Sequence, residues 1–452
     1  MNQNPSYRKS SAGYAGFWLI GFMLLIIACQ VLLLFQELQP VRFIIRASGF
    51  GLSLFFLVFF SIIPYQTKPH PAQKLALVAL IILMLSFAYP KPDSLIGGFF
   101  HLLLYLAILA PLFWVPKFGV DLPLFRKLIF LFWGFHMVSS VLGILQVYYP
   151  EKFEPPLSVI IDAMGESYVN SLKFELESGM RVFRPMGLTD MPGGAAGSGF
   201  YTLVFGFGFL LNQRNLLFKV ISVASIVIGL VVVALSFVRI FMVLNAIFLV
   251  SFLVLSFRTG GSKRFLKLLI IMAIVLAVGL TWAIRVGGED VKSRLATLIE
   301  GTPITSAYNE ARGHFLDYTI KEVMPQYPLG AGLARWGMIS HYFNAREPLY
   351  AEIQLTGWVY DGGIPLTVVY LAMLFSALFI SLKITGVRRI IGSRELAIWA
   401  ALIFAHNVGA IAAILNSPFF MSQGGLLFWL FNAILYSLYQ VHLKSARPIQ
   451  AA

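Results

Sequence analysis

The sequence predicts an all-α polytopic membrane protein with about twelve transmembrane helices. Of its 452 residues, 58% are hydrophobic and only 12% are charged, and the mean hydropathy is +0.81. A typical soluble domain has about 25% charged residues. Crossing roughly 30 Å of hydrocarbon takes about 20 mainly apolar residues, and runs of this kind recur along the chain. Residues 1–452 are therefore interpreted as a single transmembrane domain.

Each predicted span is an apolar run bounded by proline, glycine or charged residues. The spans are predicted near residues 15–35, 43–63, 73–89, 96–115, 125–149, 194–211, 216–236, 238–257, 264–285, 362–383, 396–415 and 418–441. No small-residue cleavage site follows the first run, so we interpret it as a retained span and not as a signal peptide. The single cysteine, Cys29, excludes an internal disulfide and a cysteine metal site.

The distribution of positive residues predicts the orientation of the spans. Lysine and arginine concentrate in the connections after every second span: Arg8, Lys9, Lys68, Lys74, Lys117, Arg126, Lys127, Arg214, Lys219, Arg258, Lys263, Arg264, Lys267, Lys383, Arg388, Arg389, Arg394, Lys444 and Arg447. The short opposite connections carry few, chiefly Arg42 and Lys91. The positive-inside rule then predicts that both termini are cytoplasmic. Topology thus explains most of the net charge of +14, and we predict no nucleic-acid partner.

Two long connections, residues 150–193 and 286–361, are predicted on the outer side. Long connections in compact folds are usually functional or disordered. The second contains a helix-like stretch from Ser306 to Met324, followed by a turn around Gly330. We therefore expect a large, partly helical outer loop between spans nine and ten.

The first long connection ends in a corner that suits a phosphate group. Arg181 and Arg184 precede Asp190, which is a candidate N-cap for the helix of span six. The free amides of a helix start favour an anion, and arginine adds a forked donor. The alternative is that the two arginines pair with Glu175 or Glu177 at the membrane surface.

Arg239 interrupts an apolar stretch that otherwise runs from 216 to 257. Because that stretch is long enough for two spans, the break must be a tight outer hairpin that sets Arg239 at the outer membrane face. An ionisable residue at that depth is costly and is a functional candidate by default. The alternative is an arginine that snorkels to the lipid headgroups.

The second long connection adds Arg312, His314 and Arg335 to the outer side. His314 and His341 lie far apart in sequence without a close carboxylate pattern, so we predict no metal site. The motifs of nucleotide-binding loops, dinucleotide folds, zinc proteases and serine hydrolases are also missing from the sequence, and no cofactor is predicted.

Three stretches, in order, resemble motifs of the O-antigen ligase and polymerase superfamily, membrane glycosyltransferases that act on lipid-linked sugars. Arg184-Pro-Met-Gly-Leu-Thr-Asp-Met-Pro192 resembles that family's Arg-x-x-Gly followed by proline, and Ser236-Phe-Val-Arg239 resembles its Ser-x-Arg at an outer hairpin. The segment from Arg312 to the Asp361-Gly-Gly-Ile-Pro-Leu stretch is similar to its large outer loop and the next span. The order and spacing match over more than half of the chain.

The resemblance implies a metal-independent glycosyl transfer at the periplasmic face of the bacterial inner membrane. The donor would be an undecaprenyl-pyrophosphate-linked glycan, and the acceptor another glycan or lipid A core; membrane lipid and a chain-length regulator are further expected partners. Arg184 and Arg239 would hold the pyrophosphate, with Arg181, Arg312 and Arg335 as further binding residues.

The chain departs from the family pattern at the expected general base. Ligases of the family carry a His-Asn pair before the glycine that corresponds to Gly363, whereas this chain has Tyr350-Ala-Glu352-Ile-Gln354 there. Glu352 is the substitute candidate for the catalytic base; the alternative is an interfacial carboxylate paired with an arginine. The departure favours a polymerase of O-antigen, capsule or exopolysaccharide repeats, with the ligase as the first alternative.

Two alternatives belong to other functional classes. A polysaccharide transporter or flippase would place its charged residues near the bilayer midplane, whereas Arg184 and Arg239 are predicted at the outer edge. A non-catalytic scaffold for envelope assembly would leave glycan output intact when these arginines are replaced.

Overall fold

The predicted all-α class is confirmed. The computed structural model describes residues 5–89, 93–155, 157, 165–299, 313–343, 349–387 and 392–446, and these are mostly helical, with one two-stranded antiparallel sheet. We number the eleven long helices of the described residues: α1 Pro5–Leu32, α2 Arg42–Phe59, α3 Ala72–Ala88, α4 Leu95–Leu109, α5 Leu122–Tyr148, α6 Ala195–Asn212, α7 Leu216–Leu235, α8 Arg239–Ile299, α9 Gln354–Thr385, α10 Arg394–Ala412 and α11 Gln423–Ala446.

The protein is a multi-pass membrane protein. Among the described residues, nine helical segments are long and apolar enough to cross a membrane, two of them within α8. A tenth candidate is the pair formed by α4 and Pro111–Lys117, which is bent by 41°. Gly16–Leu32 and α3 are shorter apolar helices that coincide with the predicted first and third spans. The total of twelve spans stays a prediction.

The helix α8 is broken twice by glycine. Gly261 and Gly288 have φ angles of 75° and 54°, where a residue with a side chain is strained. The first break separates two membrane-spanning segments. Beyond residue 285, where we predicted the ninth span to end, helical residues continue to Ile299. The second long connection is therefore helical at its start.

Both long connections lie at one end of the helix bundle, which we call the loop face. The first connection forms a hairpin of β1 Lys173–Glu175 and β2 Arg181–Phe183. The amide of Glu177 in this hairpin donates to the carbonyl of Val286 at 3.4 Å, and the amide of Glu175 donates to Asp290 Oδ2 at 2.8 Å. The hairpin thus packs on the end of α8.

The second connection is partly helical where it is described. Its short helices and turns are His314–Tyr318, the π-helical turn Thr319–Val323, Met324–Gln326 and Gly337–Tyr342. The first three of these elements lie at the end of the predicted helical stretch from Ser306 to Met324. Its residues 306–312 lie outside the described residues. The next long helix, α9, starts at Gln354, before the predicted span at 362.

We call the opposite end of the bundle the basic face. Hydrogen bonds between side chains and backbone groups join its elements. Lys117 Nζ donates to the carbonyls of Ser61 and Ile63, both at 2.8 Å. Asp121 caps α5 by accepting from the amide of Leu124 at 2.9 Å. The core between the two faces is aromatic, with Trp114, Trp358, Trp399 and Trp429 fully buried. This rigid bundle fixes the positions of the loop-face residues.

Candidate functional site

Arg184 lies at the loop face directly after β2. Its Nη2 donates to the carbonyl of Ser171 at 3.0 Å, and the side chain is half-buried. Burial lowers the pKa of the guanidinium from its ordinary value, yet an arginine stays charged at any physiological pH. Its Nε is buried and has no hydrogen-bond partner among the described residues. Arg184 therefore retains donor capacity for an anion.

The prediction that Asp190 is the N-cap of α6 is wrong. The helix α6 begins at Ala195, and Gly194 is its N-cap residue, without a side-chain cap. The amides of Gly193 and Ala195 donate to the carbonyls of Arg184 and Pro185, each at 3.2 Å. The expected group of free amides at this corner is not formed, because the turn before α6 uses these donors. Side chains must supply the binding groups for any anion here.

Asp190 instead forms a buried ion-pair cluster with two arginines of α2. It pairs with Arg42 and with Arg46, whose Nη2 lies 2.9 Å from Asp190 Oδ2. Arg42 and Asp190 are buried, whereas the side chain of Arg46 is 27% exposed. Two guanidinium groups therefore converge on one carboxylate. The sequence interpretation missed this cluster, since nothing in the local pattern brings α2 to residue 190.

The predicted tight hairpin before Arg239 is confirmed. The helix α7 ends at Leu235 and α8 begins at Arg239, with Phe237 at a positive φ of 55° between them. The Arg239 side chain is exposed, and within the described residues it makes no hydrogen bond or ion pair. A Cβ on Gly193 would lie 2.9 Å from Val238 Cγ2. Since the Gly193 amide binds the Arg184 carbonyl, Arg184 and Arg239 occupy adjoining turns.

Two of the predicted binding residues, Arg181 and Arg312, are not shown beside Arg184 and Arg239. Arg181 is exposed on β2, opposite Glu175 in the strand register. Pairing with Glu175 or Glu177 was the alternative to anion binding for this arginine. Among the described residues, Arg181 forms no ion pair with either glutamate. Arg312 lies outside the described residues.

Arg335 and Glu352 lie in the second long connection, and the side chain of each contacts a polar partner within the protein. Arg335 Nε is 3.6 Å from Asp93 Oδ2, just before α4. Glu352 accepts a hydrogen bond from the Tyr350 hydroxyl and is partly buried. The amide of Leu349 donates to the Arg335 carbonyl at 2.6 Å, which holds the two segments together. They form a second polar group on the loop face.

A cavity of about 230 Å³ opens between α1, α5, α6, α8, α10 and α11. Its rim at the loop face includes Thr189, next to the Asp190 cluster. Gln423, at the start of α11, also lines it and accepts from Gln30 Nε2 at 3.2 Å. The Gln354 side chain accepts from the amide of Phe420 at 2.8 Å, beside the cavity residue Phe419. The segment that starts α9 thus adjoins the cavity from the other side.

The cavity contains buried polar groups that the sequence interpretation missed. His136 Nδ1 lies 3.1 Å from Ser198 Oγ, and His136 Nε2 has no hydrogen-bond partner in the described part of the chain. His406 is buried against Tyr201, with ring centroids 5.8 Å apart. A histidine inside a predicted span is a recognisable signal for a functional position. Hydroxyl, imidazole and aromatic groups together suit a hydroxylated ligand.

The turn around Gly330 docks into a kink in α9. The amide of Ile364 donates to the carbonyl of Pro328 at 2.9 Å. The amide of Ala331 donates to the carbonyl of Tyr360 at 2.7 Å. Gly363 has a φ of 66°, and a Cβ there would stand 2.2 Å from the Pro328 carbonyl oxygen. Only glycine allows this close approach. The glycines of the two sequence motifs therefore fix the second connection to the bundle.

A buried carboxylate secures the same junction. Asp361 is fully buried and binds the Tyr105 hydroxyl at 2.6 Å, Trp336 Nε1 at 2.9 Å and His101 Nε2 at 3.2 Å. These partners come from α4 and from the second connection. Since Trp336 is adjacent to Arg335, the network sets the position of that arginine.

Replacing Asp361 with alanine is expected to lower the free energy of unfolding by about 3 kcal/mol or more, because buried donors lose their acceptor. Asp361→Asn keeps one acceptor oxygen, and Tyr105→Phe removes one donor, so both should cost less. The melting temperature of the purified protein in detergent measures this order. A wild-type melting temperature for Asp361→Ala would show that the network does not hold the junction.

Fold and site together define a multi-pass helical membrane protein with arginines at the loop face above a small, largely apolar cavity that contains a few polar side chains. Within the described part of the chain, no group of three or more His, Cys, Asp or Glu side chains is arranged to hold a metal ion. Compared with known proteins, the chain matches no protein-family model and no curated sequence. The function must therefore be argued from the site and from the sequence motifs.

Proposed function

We propose that this protein polymerises undecaprenyl-pyrophosphate-linked oligosaccharide repeat units of an O-antigen, capsule or exopolysaccharide. The observation that carries the proposal is the group of arginines around the Asp190 turn at the loop face. Arg46, Arg184 and Arg239 lie around the start of α6 and α8, with Asp190 as the carboxylate among them. A doubly phosphorylated lipid headgroup at the membrane edge matches such a cluster.

The reaction that we propose is a single glycosyl transfer. A hydroxyl of the acceptor glycan attacks the anomeric carbon of the donor sugar, and the bond from that carbon to the pyrophosphate oxygen breaks. Undecaprenyl pyrophosphate departs with the bonding electrons, and a base takes the hydroxyl proton. Guanidinium groups around the leaving group stabilise the charge that develops on it. In this scheme Arg184 and Arg239 bind the pyrophosphate, and Arg46 assists.

Glu352 is the proposed base. Its carboxyl group accepts a hydrogen bond from the Tyr350 hydroxyl, which orients it. The cavity beside the Asp190 cluster, with His136, Ser198 and Tyr201, offers hydrogen-bonding and stacking groups for a sugar ring of the donor or the acceptor. Placing the loop face in the bacterial periplasm, with both termini cytoplasmic, follows from the positive-inside rule and is part of the proposal.

Replacing Glu352 with glutamine is expected to reduce transfer by about 100-fold, since the amide cannot take a proton. The matched control is Tyr350→Phe, which removes the orienting hydroxyl and keeps the carboxylate, and which should lose much less. Transfer rates of the purified variants measure both effects. If Glu352→Gln transfers at the wild-type rate, Glu352 returns to the interpretation of an interfacial carboxylate.

The proposed function is tested with purified protein and a synthetic undecaprenyl-pyrophosphate-linked repeat unit. We expect a ladder of longer lipid-linked chains, the release of one undecaprenyl pyrophosphate for each bond formed, and no loss of rate in EDTA. Transfer to lipid A core without elongation would indicate a ligase. Movement of the intact lipid-linked unit across a proteoliposome membrane, without bond formation, would indicate a flippase and contradict the proposal.

A further inference from the structure

A second cavity lies on the basic face, at the opposite end of the bundle from the arginine cluster. It has a volume of about 430 Å³ and is bounded by the ends of α6, α7 and α10 and by the stretch of α8 that follows its break at Gly261. Four cationic side chains line it: Arg214, Lys219, Lys267 and Arg394. The proposed glycan chemistry has no use for this cavity, so it needs its own explanation.

Among the described residues, no unengaged acidic side chain neutralises the positive charge of the cavity. Glu395 is the acidic residue in its lining. The Glu395 carboxylate is held at both oxygens by Arg126, and Oε1 also accepts from Trp399 Nε1 at 3.3 Å. Within the described part of the chain, none of the four lining cations takes part in an ion pair. The lining of the cavity therefore carries a net positive charge.

The remaining lining is apolar and continues onto the outer surface of the bundle. The cavity wall includes Leu210, Leu211, Leu268 and Ile271. On either side, Leu216 and Leu217 of α7 are 76% and 64% exposed, and Leu266 of α8 is 56% exposed. Exposed leucines on membrane-spanning helices face the acyl chains. Asn212 adds a buried Nδ2 that has no hydrogen-bond partner among the described residues.

We propose that this cavity binds the phosphate headgroup of an anionic phospholipid. The four cations and the Asn212 amide would hold the phosphate oxygens, and the acyl chains would lie along the exposed leucines of α7 and α8. Basic pockets between membrane helices at the level of the headgroups recognise lipids in this way. A soluble phosphate ligand shares the headgroup chemistry but has no use for the leucines.

The test is lipid binding to the purified full-length protein in detergent, measured by native mass spectrometry and by the rise in melting temperature. Dioleoylphosphatidylglycerol is the probe, with dioleoylphosphatidylcholine and inorganic phosphate as comparisons. The variant Lys219→Gln/Lys267→Gln removes two lining cations and leaves Arg394 and the Glu395 pair intact. Its matched control, Lys68→Gln/Lys74→Gln, removes two exposed cations near α3 that do not line the cavity.

We expect the lining variant to bind phosphatidylglycerol about tenfold more weakly than the wild type, and the control variant to bind it as the wild type does. Lys219→Arg/Lys267→Arg should retain binding, which separates lost charge from damaged folding. Equal binding of phosphatidylglycerol by the lining variant and the wild type would overturn the proposal. So would equal affinity for phosphatidylcholine, or binding of inorganic phosphate that phosphatidylglycerol does not displace.

Discussion

Replacing Arg239 with alanine is expected to slow glycan transfer by about 100-fold or more and to leave the melting temperature unchanged. The side chain is exposed, and among the described residues it has no protein partner, so its loss costs the fold little. A donor aimed at the charge of the transition state is commonly worth about 100- to 1000-fold in rate. Arg239→Lys should also lose most of the activity, because a point charge does not replace the two-pronged guanidinium. The assay is transfer with the synthetic lipid-linked repeat unit.

The matched control for Arg239 is Arg285→Ala. Arg285 is another exposed arginine on α8, near the loop face, and it has no role in the proposed reaction. We expect its replacement to leave the transfer rate within about twofold of the wild type, as for a surface change away from the site. A normal transfer rate in Arg239→Ala would remove Arg239 from the proposed pyrophosphate site and return it to the interpretation of a snorkelling arginine.

Replacing Asp190 with alanine is expected to produce the largest loss of stability, about 3–5 kcal/mol in the free energy of unfolding. Asp190 and Arg42 are both buried, and removal of the carboxylate takes away a counter-charge of a buried guanidinium. The Arg42→Leu/Asp190→Leu double variant should regain much of that stability, because it removes both charges together. Melting temperatures in detergent report the two effects.

An exposed ion pair provides the comparison for Asp190. Asp317 binds Lys321 Nζ at 3.0 Å, with the Asp317 side chain 66% exposed, and pairs of this kind contribute little. Asp317→Ala should therefore melt close to the wild type. If Asp190→Ala also had a melting temperature close to that of the wild type, the cluster with Arg42 and Arg46 would not stabilise the loop face.

The fold class was predictable because it follows from composition and local pattern. Apolar runs and their breaks indicate membrane helices regardless of how those helices pack, and the hairpin before Arg239 follows from the length of a single apolar stretch. The ends of helices at the loop face were not predictable in the same way. Helical residues continue past residue 285, across the break at Gly288, where the β-hairpin contacts Val286 and Asp290, and such a tertiary contact has no local signal.

The candidate site was predictable only in part, for the same physical reason. Arg184 and Arg239 are visible in the sequence as charges beside apolar runs, and the structure places them on adjoining turns. The pairing of Asp190 with Arg46 joins residues 144 positions apart, and no local pattern encodes it. The N-cap interpretation of Asp190 failed because the turn at Gly193 and Gly194 delays the start of α6 to Ala195.

The central claim is tested most directly by the surface polysaccharide of cells that lack this protein. Gel profiles of the deletion strain and of the strain complemented with the wild-type gene are compared. A polymerase predicts that the long-chain ladder disappears on deletion, with single repeat units still attached to their carrier or core, and returns on complementation. An unchanged ladder in the deletion strain, or long chains that accumulate on the lipid carrier, would contradict the account.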